Sequence, residues 1–95
     1  MDEIQKAYAD VAWRRGEMRL YFISDAIRLV EECKKRHIRL SGLDAFLLSG
    51  KGIEPSMAHS LWFEANDPDS YQKALEHLSR PENEPYLFEV WHDGY

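Results

Sequence analysis

The sequence predicts an α+β fold, with about three helices packed on a mixed or antiparallel sheet of about four strands. Three stretches repeat apolar residues every three or four positions, which is typical of amphipathic helices. Short runs rich in aromatic and branched residues, separated by Gly, Pro and Ser turn signals, indicate the strands. A length of 95 residues suits one domain, so we assign residues 1–95 to a single domain in the order α-β-α-β-β-α-β.

The first two helices are predicted from their apolar stripes. One covers about residues 2–14, and Gly16 is a plausible stop. The other covers about residues 25–37, where Ser24 and Asp25 are good N-cap types. Its acids precede its bases, and charges in this order interact favourably with the helix dipole.

Four short segments have the composition of strands. Residues 43–48 form a nearly continuous apolar run that indicates burial on both faces. Residues 60–64 and 86–91 are the next two strands. Residues 18–23 read either as a strand or as the lead-in to the following helix.

Turn-forming residues separate these strands from the last helix. Residues 49–52 read as a loop, and Pro55 excludes a helix nearby. The third helix starts with Asp67 as cap and Pro68 at its first position, and it ends near Ser79.

The charge is negative overall and unevenly distributed. The net charge is −5, made up of +2 over residues 1–39 (nine bases, seven acids) and −7 over residues 40–95 (three bases, ten acids). An acidic surface repels nucleic acid and lipid headgroups and attracts basic partners. We therefore expect a basic protein partner, with no direct contact to nucleic acid or membrane. The alternative is that the acids only keep a small domain soluble.

Several absences favour the cytoplasm. Cys33 is the only cysteine, so no internal disulfide can form. The acidic, polar N-terminus lacks the basic start and apolar stretch of a signal peptide. No run of roughly 18 apolar residues is long enough to span a membrane. We expect a cytoplasmic protein.

Reactive side chains do not form a recognisable catalytic or metal motif. The four histidines lack metal-ligand spacing, and Cys33 lies on an apolar helix stripe, as a buried structural thiol does. We expect no cofactor and no metal. Asp44 is an acid inside an apolar strand, where hydrogen bonds from loop N–H groups or an Arg partner would fix it. The alternative is a small enzyme that uses Asp44 with His59 or His92.

Aromatic and acidic residues of the C-terminal half are the candidate partner-binding residues. Trp is enriched at binding hot spots, and a Trp two residues from an acid in a strand shares its face. The candidates are Trp62, Trp91, Glu54, Glu64, Asp67, Asp69, Glu82, Glu84 and Glu89.

Four stretches of the chain carry a family resemblance: YFISDAIRLVEECKKRHIRLSGLDAFLLSG, EPSMAHS, SYQKALEHL and YLFEVW. They combine an aromatic pair, a helix with a Cys, an apolar strand with an acid, a Pro-containing loop, a short helix and a closing strand. In this order they resemble small bacterial proteins encoded beside polymorphic or contact-dependent growth-inhibition toxins. The resemblance implies an immunity protein, a non-catalytic inhibitor of one cognate toxin, and we favour a nuclease as that toxin. A regulatory or adaptor domain is the alternative.

Overall fold

The computed structural model describes residues 13–15, 18–49 and 52–93 of the chain. Within them the α+β class is confirmed, with two α-helices and a three-stranded antiparallel sheet. The elements are β1 (Trp13–Arg15), β2 (Met18–Leu20), α1 (Ile23–Lys35), β3 (Leu40–Ser49), β4 (Gly52–Trp62), α2 (Ser70–Leu78), a 3-10 helix (Pro81–Asn83) and β5 (Tyr86–His92).

The sheet is built around β3. Its strand order is β4-β3-β5, and both pairings are antiparallel. Strands β1 and β2 pair with each other in a separate two-stranded sheet. Directly after β2, the N–H of Tyr21 donates to the carbonyl of Phe88 at 2.8 Å, and the N–H of Phe88 donates back at 2.9 Å. At Tyr21, the chain before α1 therefore lies along the side of β5 that does not pair with β3.

The main core lies between the helices and one face of the sheet. Side chains alternate across a strand, so Leu43 and Ala45 of β3 share a face with Phe88 and Val90 of β5. All four are buried in one cluster with Ala26, Leu29, Val30, Cys33, Ala74 and Leu78 of the two helices. Cys33 is fully buried, which confirms its prediction as a buried thiol.

The opposite face of the sheet, called here the outer face, carries a second apolar cluster among the described residues. Leu20, Phe46 and Leu87 are buried there, and Ile53 packs against them. This cluster covers the half of the outer face nearest to the β3–β4 connection. The other half, towards the start of β3, carries Trp62 and Trp91 on either side of Gly42.

The second predicted helix exists but lies two residues earlier than expected. Its N-cap is Phe22, which has no side chain able to cap, so Ser24 lies inside the first turn. At the other end the N–H of His37 donates to the carbonyl of Lys34 and the N–H of Ile38 to that of Cys33. This is a Schellman motif. His37 has a φ of 57°, so the helix ends without a glycine.

The prediction of the first helix is wrong at its C-terminal end. Residues 13–15 are a strand, and residues 2–12 and Gly16 lie outside the described residues. Residues 18–23 combine both alternatives, since 18–20 are a strand and 23 begins α1.

The second strand of the sheet is much longer than predicted. Strand β4 covers residues 52–62, whereas the sequence predicted residues 60–64. The EPSMAHS segment is therefore part of a strand and not a loop. Pro55 pairs opposite Phe46, which is possible because β4 is an edge strand whose outer N–H positions need no partner. Strand β3 is also longer than its predicted residues 43–48.

The last helix begins two residues later than predicted. Ser70 is its first residue and Asp69 its N-cap, so Pro68 precedes the helix. Asp67 does not cap the helix directly, although its Oδ1 accepts the N–H of Asp69 at 2.9 Å. The final strand is confirmed, since Tyr86–His92 extends the predicted residues 86–91 by one.

Candidate functional site

Two tryptophans and a glycine form one row across the outer face. Gly42 of β3 pairs with Trp62 of β4 on one side and with Trp91 of β5 on the other. The two indole centroids lie 6.4 Å apart, and the ring planes are inclined by 44°. Trp62 is 50% exposed and Trp91 42% exposed. The structure therefore places the two predicted anchors side by side, with much of their surface in water.

Gly42 is what allows this arrangement. A Cβ atom at position 42 would lie 2.3 Å from Cε3 of Trp62 and 2.8 Å from the carbonyl oxygen of Leu61. The indole of Trp62 therefore occupies the space above β3 that a side chain would otherwise fill. The glycine places the ring of Trp62 over the strand, next to Trp91.

Two carboxylates form the next row of the same face. Asp44 pairs opposite Glu89, and like charges directly opposite each other on neighbouring strands are unfavourable. Partial burial, and then the charge of Asp44, raise the pKa of Glu89. Within the described parts of the chain, no side chain or backbone group donates a hydrogen bond to the Glu89 carboxylate. We call Gly42, Asp44, Trp62, Glu89 and Trp91 together the outer-face site.

A bulge in β4 holds Asp44 in place. The pairing with β3 jumps from Leu61 opposite Leu43 to Ser56 opposite Ala45, so several residues of β4 face Asp44 alone. Ser60 fills this gap. Its Oγ accepts the N–H of Ala45 at 2.9 Å, and its single proton can go to Asp44 Oδ1 at 2.9 Å or to the Ser56 carbonyl at 2.8 Å.

The histidine of the bulge points into a different network. The Nδ1 of His59 lies 2.7 Å from Oδ1 of Asn83, and its ring stacks on Tyr86 at 4.1 Å. Asn83 donates its Nδ2 to the carbonyl of His77 at 2.7 Å, so its Oδ1 is left to accept from His59. The Nε2 of His77 in turn donates to the carbonyl of His59. These contacts connect the bulge to α2 and the 3-10 helix.

His59 and His92, the two histidines considered as partners of Asp44, are therefore positioned elsewhere. His59 is engaged with Asn83. His92 is buried and follows Trp91 in β5, so strand alternation directs it away from the outer face on which Asp44 lies. In the described residues Asp44 accepts its hydrogen bond from Ser60. The expected loop N–H or Arg partner is replaced by a hydroxyl.

Three of the candidate acids lie around one lysine. Lys73 forms an ion pair with Asp67 at 2.8 Å. The hydrogen bond with Asp67 raises the pKa of Lys73, and the charges of Asp69 and Glu64 add to this effect. The hydrogen bond from Lys73, and then the one from the Asp69 N–H, lower the pKa of Asp67. Asp67 is thus neutralised locally and is a weaker candidate for partner contact.

The remaining candidate acids lie on separate elements. Glu54 is exposed on the edge strand β4, Glu82 is in the 3-10 helix and Glu84 follows it. Of the seven candidate acids, Glu89 is the one that the strand register places on the outer face with Trp62 and Trp91. Sequence reasoning missed Gly42 and Asp44 as members of this site. Their spacing of two residues in a strand was visible, but their neighbours across the sheet were not.

The described segments contain neither a metal-binding cluster nor a membrane-spanning helix. Over residues 13–15, 18–49 and 52–93, no three His, Cys, Asp or Glu side chains are grouped so that they could hold a metal ion. Within the same ranges, neither helix has the length and apolar character needed to cross a membrane. No protein-family model, curated protein or solved structure matches this chain.

Proposed function

We propose that this chain is an immunity protein that binds and neutralises a cognate toxin through the outer-face site. The partner is a basic protein, and a nuclease is the class that we favour because an acidic inhibitor can occupy a surface made for phosphates. Binding is stoichiometric, takes place in the cytoplasm and involves no catalysis by this chain.

The pair of exposed tryptophans is the observation that carries this proposal. Trp62 and Trp91 are 50% and 42% exposed and lie beside each other on an open sheet face. Trp is among the residues that contribute most to protein–protein binding, in part because it buries a large area with few rotatable bonds. An exposed aromatic surface with carboxylates at its border favours a basic protein as partner.

The acids outside the outer-face site would act at longer range. Glu64 and Asp69 lie just before α2, and Glu82 and Glu84 lie in and directly after the 3-10 helix; all four are exposed. Their summed field, in a half of the chain with net charge −7, would still attract a basic partner before contact. Such steering raises association rates and weakens with salt.

A binding assay with the product of the adjacent gene tests the proposal. The purified chain should form a 1:1 complex and abolish the toxicity of that product on co-expression. Trp62→Ala and Trp91→Ala should each weaken the complex by roughly 2 kcal/mol, or about 30-fold. Phe22→Ala is the matched control, because Phe22 is a 59% exposed aromatic residue outside the outer face. Absence of a complex, or a complex that both Trp changes leave intact, would contradict the proposal.

Steering is tested separately by charge reversal. The triple change Glu64→Lys, Asp69→Lys and Glu84→Lys should slow association in stopped-flow experiments and flatten its dependence on salt. Dissociation should change little, since these acids lie outside the outer-face site. Unaltered association kinetics would remove the steering step while leaving the contact surface in place.

A further inference from the structure

We propose that the outer-face site receives one arginine side chain of the partner, whose stem lies on the two indoles and whose guanidinium binds the carboxylates of Asp44 and Glu89. This inference rests on the proposed function for the statement that the partner is a protein. It goes further by naming the chemical group that the site recognises.

The aromatic row offers indole surface to a cation. Trp62 and Trp91 are inclined by 44° with centroids 6.4 Å apart, and both are about half exposed, so they form one aromatic surface at Gly42. Cations bind over indole faces, and Arg does so more often than Lys. Because Gly42 leaves room for the ring of Trp62 above the strand, this aromatic surface is formed before binding, which reduces the ordering cost of association.

The carboxylate row determines the sign of the charge that the site can bind. Asp44 and Glu89 lie opposite each other, two residues along their strands from Gly42 and Trp91, which is about 7 Å. In the described segments, neither carboxylate has an ion pair with Lys, Arg or His. A cation placed between them would relieve their repulsion, whereas an apolar or acidic group would not.

The two rows together favour Arg over Lys. Arg has a planar guanidinium that stacks on aromatic rings and donates to carboxylates with two parallel hydrogen bonds. Its apolar stem can cover the indoles while the charged end extends to the next row. The ammonium of Lys is more strongly hydrated and cannot form the same fork.

Short peptides isolate this recognition from the rest of the partner. The wild-type chain is titrated with acetyl-Gly-Arg-Gly-amide, with its Lys analogue and with its citrulline analogue, and the indole N–H signals of Trp62 and Trp91 are followed by NMR. The Arg peptide should shift both signals with a Kd on the order of millimolar, as expected for one cation–π contact plus charged hydrogen bonds. The Lys peptide should bind several-fold more weakly, and the uncharged citrulline peptide should not shift the signals.

A second measurement on the wild-type chain needs no variant. The Arg peptide should lower the pKa of Glu89, read from its side-chain carboxyl carbon, because a nearby cation favours the ionised form.

A third measurement uses a variant. Glu89→Gln should weaken Arg-peptide binding roughly five-fold or more, with Glu31→Gln, an exposed acid of α1, as the matched control. Equal shifts with the Arg and citrulline peptides, or an unchanged titration of Glu89, would overturn the inference.

The outcomes separate this inference from the proposed function. If a toxin partner binds in a Trp-dependent way but the Arg peptide does not bind, the arginine inference fails and the proposed function stands. If the Arg peptide binds as expected but the adjacent gene product does not, the inference holds and the toxin proposal fails.

Discussion

Gly42 and Trp62 lie so close together that β3 has no room for a side chain at position 42. A Cβ atom there would be 2.3 Å from Cε3 and 2.9 Å from Cζ3 of the indole. The contact directs the ring of Trp62 across the strand towards Trp91 instead of out into solvent. One residue without a side chain thus determines the shape of the aromatic surface.

Gly42→Ala should displace the indole and destabilise the sheet. The new methyl group would meet both the Trp62 ring and the carbonyl oxygen of Leu61, at 2.8 Å, and backbone moves less easily than a side chain. We expect the free energy of unfolding to fall by about 1–3 kcal/mol, measured by urea titration with tryptophan fluorescence. Ser41→Ala, a change at the neighbouring position of the same strand, is the control. An unchanged stability and an unchanged Trp62 NMR signal would contradict the expected contact.

Ser60→Ala tests whether the hydroxyl group holds the bulge of β4 together. The Oγ atom accepts the N–H of Ala45 and lies within hydrogen-bond distance of Asp44. Its removal leaves a partly buried N–H without this acceptor, so we expect a loss of about 1–3 kcal/mol in thermal or chemical unfolding. Ser79→Ala removes a hydroxyl that bonds an exposed carbonyl of α2 and should cost less than about 0.5 kcal/mol. Equal effects of the two changes would show that the bulge does not depend on Ser60.

The elements that the sequence predicted well are those whose pattern is complete within one segment. Residues 25–37 and 86–91 repeat apolar positions without interruption, and both form the expected type of element with shifts of at most two residues. Strand β4 was mostly missed because Pro55 and the bulge opposite Asp44 interrupt the alternation. Pro55 is tolerated only because β4 is at the edge of the sheet, and strand order cannot be read from local pattern.

The same distinction between local pattern and strand pairing applies to the candidate site. Glu89 and Trp91 share a face because they are two residues apart in a strand, which the sequence shows. The proximity of Trp62 to Trp91 depends instead on the register of two strand pairings through Gly42. The ion pair between Asp67 and Lys73 likewise depends on the turn before α2, so the local neutralisation of one predicted acid could not be seen in the sequence.

His37→Gly should stabilise the protein. His37 follows the end of α1 with a φ of 57°, a conformation that costs L-residues roughly 1–2 kcal/mol and costs glycine almost nothing. Part of this gain is lost to the greater freedom of glycine in the unfolded chain, so we expect a net increase of about 0.5–1 kcal/mol in the free energy of unfolding. His37→Ala keeps the Cβ atom and should give no such increase. Equal stabilities for the Gly and Ala variants would contradict the proposed strain.

Glu89→Gln should make stability less sensitive to pH. Partial burial, followed by the charge of Asp44, raises the pKa of Glu89 in the folded chain. A raised carboxyl pKa means that the folded state holds its proton more tightly. The ionised carboxylate therefore lowers stability progressively as pH rises from the unfolded pKa, about 4.3, to above the folded one, and the penalty remains at higher pH.

The variant cannot ionise at this position, so near pH 7 it should be more stable than the wild type. We expect roughly a few tenths of a kcal/mol, because solvent screens a half-exposed group. Near pH 3 the wild-type carboxyl is protonated in both states, and the two proteins should unfold at similar urea concentrations. Glu31→Gln, on the exposed side of α1, controls for the loss of one negative charge. A wild type more stable than Glu89→Gln near pH 7 would mean that Glu89 already has a cationic partner within the chain, and the site would then have no need of an arginine from outside.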